Sequence, residues 1–131
     1  MNIKKLVVAA LAVAALASSS LAAAADAPKL QIGPSVVKVA NGKLVLTAKC
    51  IGTAECQSVL TARIDVKNGG LGGQIFDVEP GQTEKLVFKL EPNVRAWLRT
   101  HRRSTLVISA RTSNEEYEVV WRGTFRLQLH A

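Results

Sequence analysis

The sequence predicts an all-β fold: a single antiparallel β-sandwich of about seven strands with one short helical turn, preceded by a signal peptide. Apolar and polar residues alternate in several short segments, as they do in strands with one buried face. Turn-forming residues separate these segments at short intervals, which is typical of a sandwich. Only one later segment has helical spacing.

Residues 1–25 have the layout of a cleavable secretory signal. The first five residues carry Lys4 and Lys5, residues 6–17 form a continuous apolar run, and residues 22–25 are all alanine. Basic, apolar and small-residue regions in this order direct export and cleavage. We therefore expect the mature chain to begin at Asp26, with one domain over residues 26–131, and to reach the periplasm, cell envelope or extracellular space.

An uncleaved membrane anchor is the alternative interpretation of the apolar run. A membrane-spanning helix needs about 20 apolar residues, whereas serines interrupt this run after about a dozen. No second apolar run follows, so no transmembrane segment is predicted in the mature chain. Loss of Lys4 and Lys5 leaves 15 of the 17 lysines and arginines against 10 acids, a net charge of +5.

Alternation is clear in residues 43–50, 59–66, 85–90 and 105–111, and it is longest in residues 117–129. Gly123 interrupts the last segment and predicts a bulge or bend there. The pair Asn41-Gly42 is typical of a hairpin turn. Residues 68–73, which we call the Gly-rich segment, predict a flexible loop because four of the six are glycine.

Residues 92–103 break the alternation and predict a short helical turn that begins at Pro92. Helical spacing places an apolar group on the side that would contact the sandwich, and an arginine group on the outer side. The apolar group is Val94, Trp97 and Leu98, and the arginine group is Arg95, Arg99 and Arg102.

Cys50 and Cys56 are the only cysteines, and in an exported domain they are expected to form a disulfide. Closing a ring of this size stabilises the fold by about 2.4 kcal/mol in the chain-entropy model. A redox or metal-binding pair is the alternative. The C-x-x-C spacing typical of such pairs is absent, so the disulfide is favoured.

No motif in the sequence predicts catalysis, a cofactor or a metal. The two histidines, His101 and His130, lie outside any nucleophile motif. A cluster of glutamates at one predicted turn, Glu115, Glu116 and Glu118, is typical of a solvated acidic surface. A blue-copper site needs two histidines, a cysteine and usually a methionine, and Met1 leaves with the signal. The sequence therefore predicts a protein that is not an enzyme.

The candidate binding residues are Arg95, Arg99, Arg102 and Arg103. Arginine can bind phosphate or carboxylate groups through two parallel hydrogen bonds. In an exported protein such groups belong to anionic envelope polymers or to an acidic protein partner. Nucleic acid is disfavoured because few aromatic residues accompany the charges. A solvated helix face with no partner is the alternative.

Several apolar and turn residues follow one another in a characteristic order: the Cys50–x5–Cys56 pair, then Phe76, Val78 and Gly81, then Leu86, Phe88 and Leu90, and then the sequence Arg95-Ala96-Trp97-Leu98-Arg99. This order, over about residues 36–129, resembles the immunoglobulin-like repeat modules of secreted bacterial proteins. The resemblance implies an immunoglobulin-like sandwich in an envelope or extracellular setting, and no particular activity.

Three functions remain as hypotheses. The first is an exported, non-enzymatic interaction or structural module that binds through its loops and through residues 95–103. The second is a small secreted hydrolase or enzyme inhibitor that uses the loop at residues 69–73. The third is an accessory or chaperone-like subunit that pairs a sheet edge with its partner.

Overall fold

The structure, a computed structural model, describes residues 27–131 as an all-β sandwich of two sheets with one short helix, as the sequence predicts. The predicted signal, residues 1–25, and the predicted N-terminus at Asp26 lie outside the described residues. The elements are β1 Lys29–Gly33, β2 Val36–Lys38, β3 Lys43–Ile51, β4 Cys56–Ile64, β5 Gly70–Val78, β6 Thr83–Lys89, α1 Pro92–Thr100, β7 Arg103–Ser113 and β8 Val119–His130.

One sheet has the strand order β1-β3-β6 and the other β2-β8-β7-β4-β5. All neighbours are antiparallel except β2 and β8, which are parallel. The N-terminal part of the chain contributes an edge strand to each sheet, with Pro34 and Ser35 between β1 and β2. Sequence periodicity missed two strands, the short β1 and the longer β5.

Alternate residues of both sheets point inward and form one apolar core. Each fully buried Leu or Ile stabilises the folded state by about 1.5–3 kcal/mol relative to an exposed position. The largest fully buried side chains include Leu44, Leu46, Leu60, Ile64, Leu98, Leu106, Ile108 and Leu129.

Cys50 and Cys56 form the predicted disulfide, with 5.8 Å between their Cα atoms. Both residues are buried, and the bond joins the end of β3 to the start of β4, so it links the two sheets. A disulfide of this kind indicates an oxidising compartment. Within residues 27–131, no helix has the length and apolar character needed to cross a bilayer.

The helix is shorter than the sequence predicts. α1 ends at Thr100, and Arg103 already belongs to β7, because residues 103–113 pair with β8 and the ladder takes precedence over helical spacing. The predicted docking face is confirmed. Leu98 is buried, and Val94 and Trp97 are half-buried against the core.

The prediction of a flexible loop over the Gly-rich segment is wrong. Residues 70–73 begin β5, the edge strand of the five-stranded sheet, where Gly73 pairs with Thr61. The register of this ladder shifts between Ala62 and Arg63, and Gly72 there has φ 103°, a conformation that glycine adopts readily. The turn lies earlier and includes Gly69, where a Cβ would approach the carbonyl oxygen of Ile64 to 2.2 Å.

The predicted bulge at Gly123 is also wrong. Gly123 pairs with Ala110 in an unbroken stretch of the β7–β8 ladder, and the register shift falls between Thr112 and Ser113. The glycine instead makes room for two aromatic rings on the inner face. A Cβ there would lie 2.5 Å from a ring carbon of Trp121 and 3.1 Å from one of Phe125.

We expect Gly123→Ala to destabilise the fold by about 1–3 kcal/mol, because the added methyl group forces the Trp121 ring out of its position. Gly70→Ala is the matched control, since a Cβ there has no heavy atom within 4 Å. Urea unfolding of both variants measures the difference. Equal stabilities for the two variants would contradict the close packing at Gly123.

Candidate functional site

Three of the four predicted arginines line one cleft at the end of the sandwich where α1 lies. Arg95 and Arg99 are one helical turn apart on the exposed side of α1, and Arg102 follows the end of the helix. The cleft has a volume of about 400 Å³, and Ala131 and the turn at Asn41 complete its wall. We call it the helix-end cleft.

The hairpin turn before β3 accommodates the side chain of Arg95. Gly42 has φ 71°, and a Cβ at this position would lie 3.0 Å from Cδ of Arg95 and 3.1 Å from its Nη1. The amide of Leu90 donates a hydrogen bond to the carbonyl oxygen of Gly42 at 2.8 Å, which ties the turn to the segment entering α1. Glycine at residue 42 therefore leaves room for the guanidinium group to lie against the turn.

The arginines of the helix-end cleft form no ion pair within the described residues. Within residues 27–131, no carboxylate oxygen lies within 4.0 Å of a guanidinium nitrogen of Arg95, Arg99 or Arg102. Guanidinium groups only donate hydrogen bonds. The cleft can therefore bind an anion without first breaking an ion pair.

Arg103 lies apart from the other three arginines. It is the first residue of β7 and pairs with His130 of β8, on the outer face of the five-stranded sheet. The predicted group of four arginines is therefore divided between two surfaces. Sequence proximity did not reveal this, because the chain changes from helix to strand between Thr100 and Arg103.

His101 stacks on Trp97, with 4.0 Å between the ring centroids and 1° between the planes. Its Nδ1 lies 3.0 Å from the carbonyl oxygen of Trp97 and 2.9 Å from Oγ1 of Thr100. The ring thus covers the end of α1. Among residues 27–131 there is no group of three or more His, Cys, Asp or Glu side chains that could hold a metal ion.

The opposite end of the sandwich is acidic. The turn between β7 and β8 carries Glu115, Glu116 and Glu118, and Asn114 shapes it by accepting hydrogen bonds from the amides of Glu116 at 3.0 Å and Glu118 at 2.9 Å. Glu55 lies at the same end. The neighbouring Glu79 carboxylate can accept a hydrogen bond from the protonated Glu55 side chain, and this interaction, followed by burial, raises the pKa of Glu55.

Sequence reasoning missed a second pair of arginines. Arg111 and Arg122 face each other directly across β7 and β8 on the outer face of the five-stranded sheet, and they line a hollow of about 340 Å³. Alternation alone placed both side chains outward. Whether the two residues lie opposite each other depends on the register between the two strands, which periodicity does not give.

No protein-family model matches the chain, and no curated protein matches it in sequence. Among solved structures, a β-glucosidase from Erythrobacter marinus is similar at 15% sequence identity with a TM-score of 0.32. The match covers 79% of this chain and 15% of that enzyme, so the chain spans only a small part of its length.

The outer face also contains an ion-paired carboxylate, Asp65. Its Oδ1 accepts a hydrogen bond from Nη1 of Arg63 at 3.2 Å, and its Oδ2 accepts one from Nη2 of Arg126. The hydrogen bond from Arg126, followed by that from Arg63, lowers the pKa of Asp65 below its ordinary value of 3.8. The carboxylate therefore links β8 to the segment that follows β4.

We expect Asp65→Asn to lower the Tm at neutral pH and to have progressively less effect as the pH falls. A carboxyl with a lowered folded-state pKa stabilises the fold above its unfolded-state pKa, and this contribution disappears as the pH falls through the folded-state value. Thermal unfolding between neutral pH and about pH 2 measures the effect. Asp77→Asn is the control, because Asp77 has no ion pair within residues 27–131. A constant difference in Tm at all pH values would exclude the ion pairs as its cause.

Proposed function

We propose that this protein is an exported, non-enzymatic interaction module that binds anionic polymers of the cell envelope or extracellular space in its helix-end cleft. One observation carries the proposal. Arg95, Arg99 and Arg102 line the same cleft, and no carboxylate oxygen of residues 27–131 lies within 4.0 Å of their guanidinium nitrogens. Bidentate hydrogen bonds from arginine to carboxylate or phosphate supply the binding.

Membership among immunoglobulin-like modules is part of this proposal. The order β8-β7-β4-β5 corresponds to the G-F-C-C′ order of immunoglobulin sandwiches, and β3-β6 corresponds to the B-E pair of the facing sheet. The sequence of about residues 36–129 resembles that of such modules. The strand order supports the same assignment by a separate route.

Export is supported by two observations of different kinds. Residues 1–25 have the composition of a secretory signal, and the Cys50–Cys56 disulfide indicates an oxidising compartment. An exported basic module meets mostly anionic polymers at a cell surface. Its net charge of +5 after removal of the signal favours such a partner through long-range attraction.

The second candidate function is binding of a partner protein through a sheet edge, and the exposed edge of β5 favours it. This nine-residue strand is the last of the five-stranded sheet and pairs only with β4 in the described part of the chain. Its outer backbone groups could therefore accept an added strand from another protein. The hydrolase or inhibitor hypothesis relied on a loop at residues 69–73, and most of that segment is strand.

The test of the proposed function is salt elution from immobilised polygalacturonate and from immobilised dextran sulfate. We expect the mature protein to be retained at low salt, and the triple variant R95Q/R99Q/R102Q to have an apparent affinity at least about tenfold lower, because a hydrogen bond to a charged group contributes about 1.5–3 kcal/mol.

The matched control is K29Q/K49Q/K85Q, which removes the same charge from exposed lysines of the three-stranded sheet. Retention of this control close to that of the unmodified protein supports the cleft as the binding site. If the control and the arginine variant elute at the same salt concentration, net charge alone explains retention, and the proposal is wrong.

A further inference from the structure

Arg111 and Arg122 form a like-charged pair on the outer face of the five-stranded sheet. They are direct partners in the β7–β8 ladder, and both are exposed. Directly opposite residues have Cβ atoms about 4.5–5.5 Å apart, where two like charges destabilise the sheet. A bound anion would convert this repulsion into attraction from both sides.

The same face shows how this chain neutralises another pair of arginines. Arg63 and Arg126 flank Val107 in one row across β4, β7 and β8, and both bond to Asp65. Arg111 and Arg122 have no carboxylate within 4.0 Å among residues 27–131. Asp65 is therefore the counter-ion of Arg63 and Arg126, whereas Arg111 and Arg122 are available to bind an external anion.

A row of hydroxyl groups lies beside the unneutralised pair. Thr61, Ser109 and Thr124 are direct partners across β4, β7 and β8, and they line the same hollow as the two arginines. Rows on one face are about 6.6–6.8 Å apart along the strands. In the part of the chain that the structure describes, the three hydroxyls make no side-chain hydrogen bond. Guanidinium and hydroxyl groups together can supply donors to several oxygens of one anion.

The arginine row continues into apolar side chains. Val59 pairs with Arg111 on one side and with Ile75 on the other, so the row runs from two cations to two aliphatic residues. Ile75 is 85% exposed, which is unusual for a side chain of this size. A ligand that fits the whole row has a charged end and an apolar or weakly polar body.

We propose that Arg111, Arg122, Thr61, Ser109 and Thr124 form a second binding site, the outer-face site, which holds a phosphate monoester. Two arginines match the charge of about −1.5 to −2 that a phosphate monoester carries at pH 7. Carboxylates, sulfate esters and phosphodiesters carry one charge only. The organic part of the ester lies along Val59 towards Ile75. This site is separate from the helix-end cleft and does not depend on it.

Calorimetric titration with phenyl phosphate, at constant ionic strength and in a buffer free of phosphate, tests the proposal. We expect R111Q and R122Q each to weaken binding about tenfold, since each removes hydrogen bonds to a charged group. Binding should tighten as the pH rises through about 6, where the monoester becomes a dianion. Phenyl sulfate, a monoanion of the same shape, should bind more weakly than phenyl phosphate.

Two further measurements separate the parts of the site. Ile75→Ser should weaken binding of phenyl phosphate and leave the affinity for inorganic phosphate unchanged, because only the ester reaches Ile75. The double variant R111Q/R122Q should have a Tm at low salt equal to or above that of the unmodified protein, since it relieves the repulsion. A loss of binding in this variant therefore cannot come from unfolding.

K49Q/K85Q is the charge-matched control and should leave binding of phenyl phosphate unchanged. Equal weakening by this control and by R111Q/R122Q would overturn the proposal, as would equal affinities for phenyl phosphate and phenyl sulfate. The R95Q/R99Q/R102Q variant should retain the phenyl phosphate binding that depends on Arg111 and Arg122. This outcome separates the outer-face site from the helix-end cleft, so that either proposal can fail alone.

Discussion

Burial of the inward side chains of β4, β7 and β8 holds these three strands in one register, and both arginine pairs on the outer face depend on that register. Leu60, Ile108 and Leu127 are all buried, and a slip of one residue would turn such a set towards solvent. Each of these side chains would then lose about 1.5–3 kcal/mol of stabilisation. The same constraint that forms the core therefore determines that Arg111 meets Arg122 and that Arg63 and Arg126 lie within reach of Asp65.

The turns at the disulfide end carry the acidic residues Glu55, Glu79, Glu115, Glu116 and Glu118, while the helix end carries the arginines of the helix-end cleft. The helix-end cleft and the outer-face site both lie outside the acidic turns. Together they would allow one domain to contact an extended anionic molecule at two places, each with its own geometry.

Local sequence patterns predicted correctly the features that depend on residues within one strand or one helical turn. The disulfide, the strands β3, β4, β6, β7 and β8, and the buried face of α1 all follow from spacing within a few residues. Two predictions about glycine were wrong for a common reason. Gly123 was interpreted as a bulge and the Gly-rich segment as a loop, because glycine is flexible in isolation. In the fold, Gly123 provides space for the rings of Trp121 and Phe125, and residues 70–73 pair with β4 as a strand, with a positive φ at Gly72 alone among them.

The sequence by itself determined an all-β domain, a disulfide between Cys50 and Cys56, and the arginines Arg95 and Arg99 on the outer side of one helix. These properties depend on composition and on neighbours along the chain. Only the tertiary structure decided that the turn at Gly42 receives Arg95, that Arg103 belongs to another surface, and that Arg111 and Arg122 oppose each other. These properties depend on which strands pair and in which register, and that is set by packing between residues far apart in the sequence.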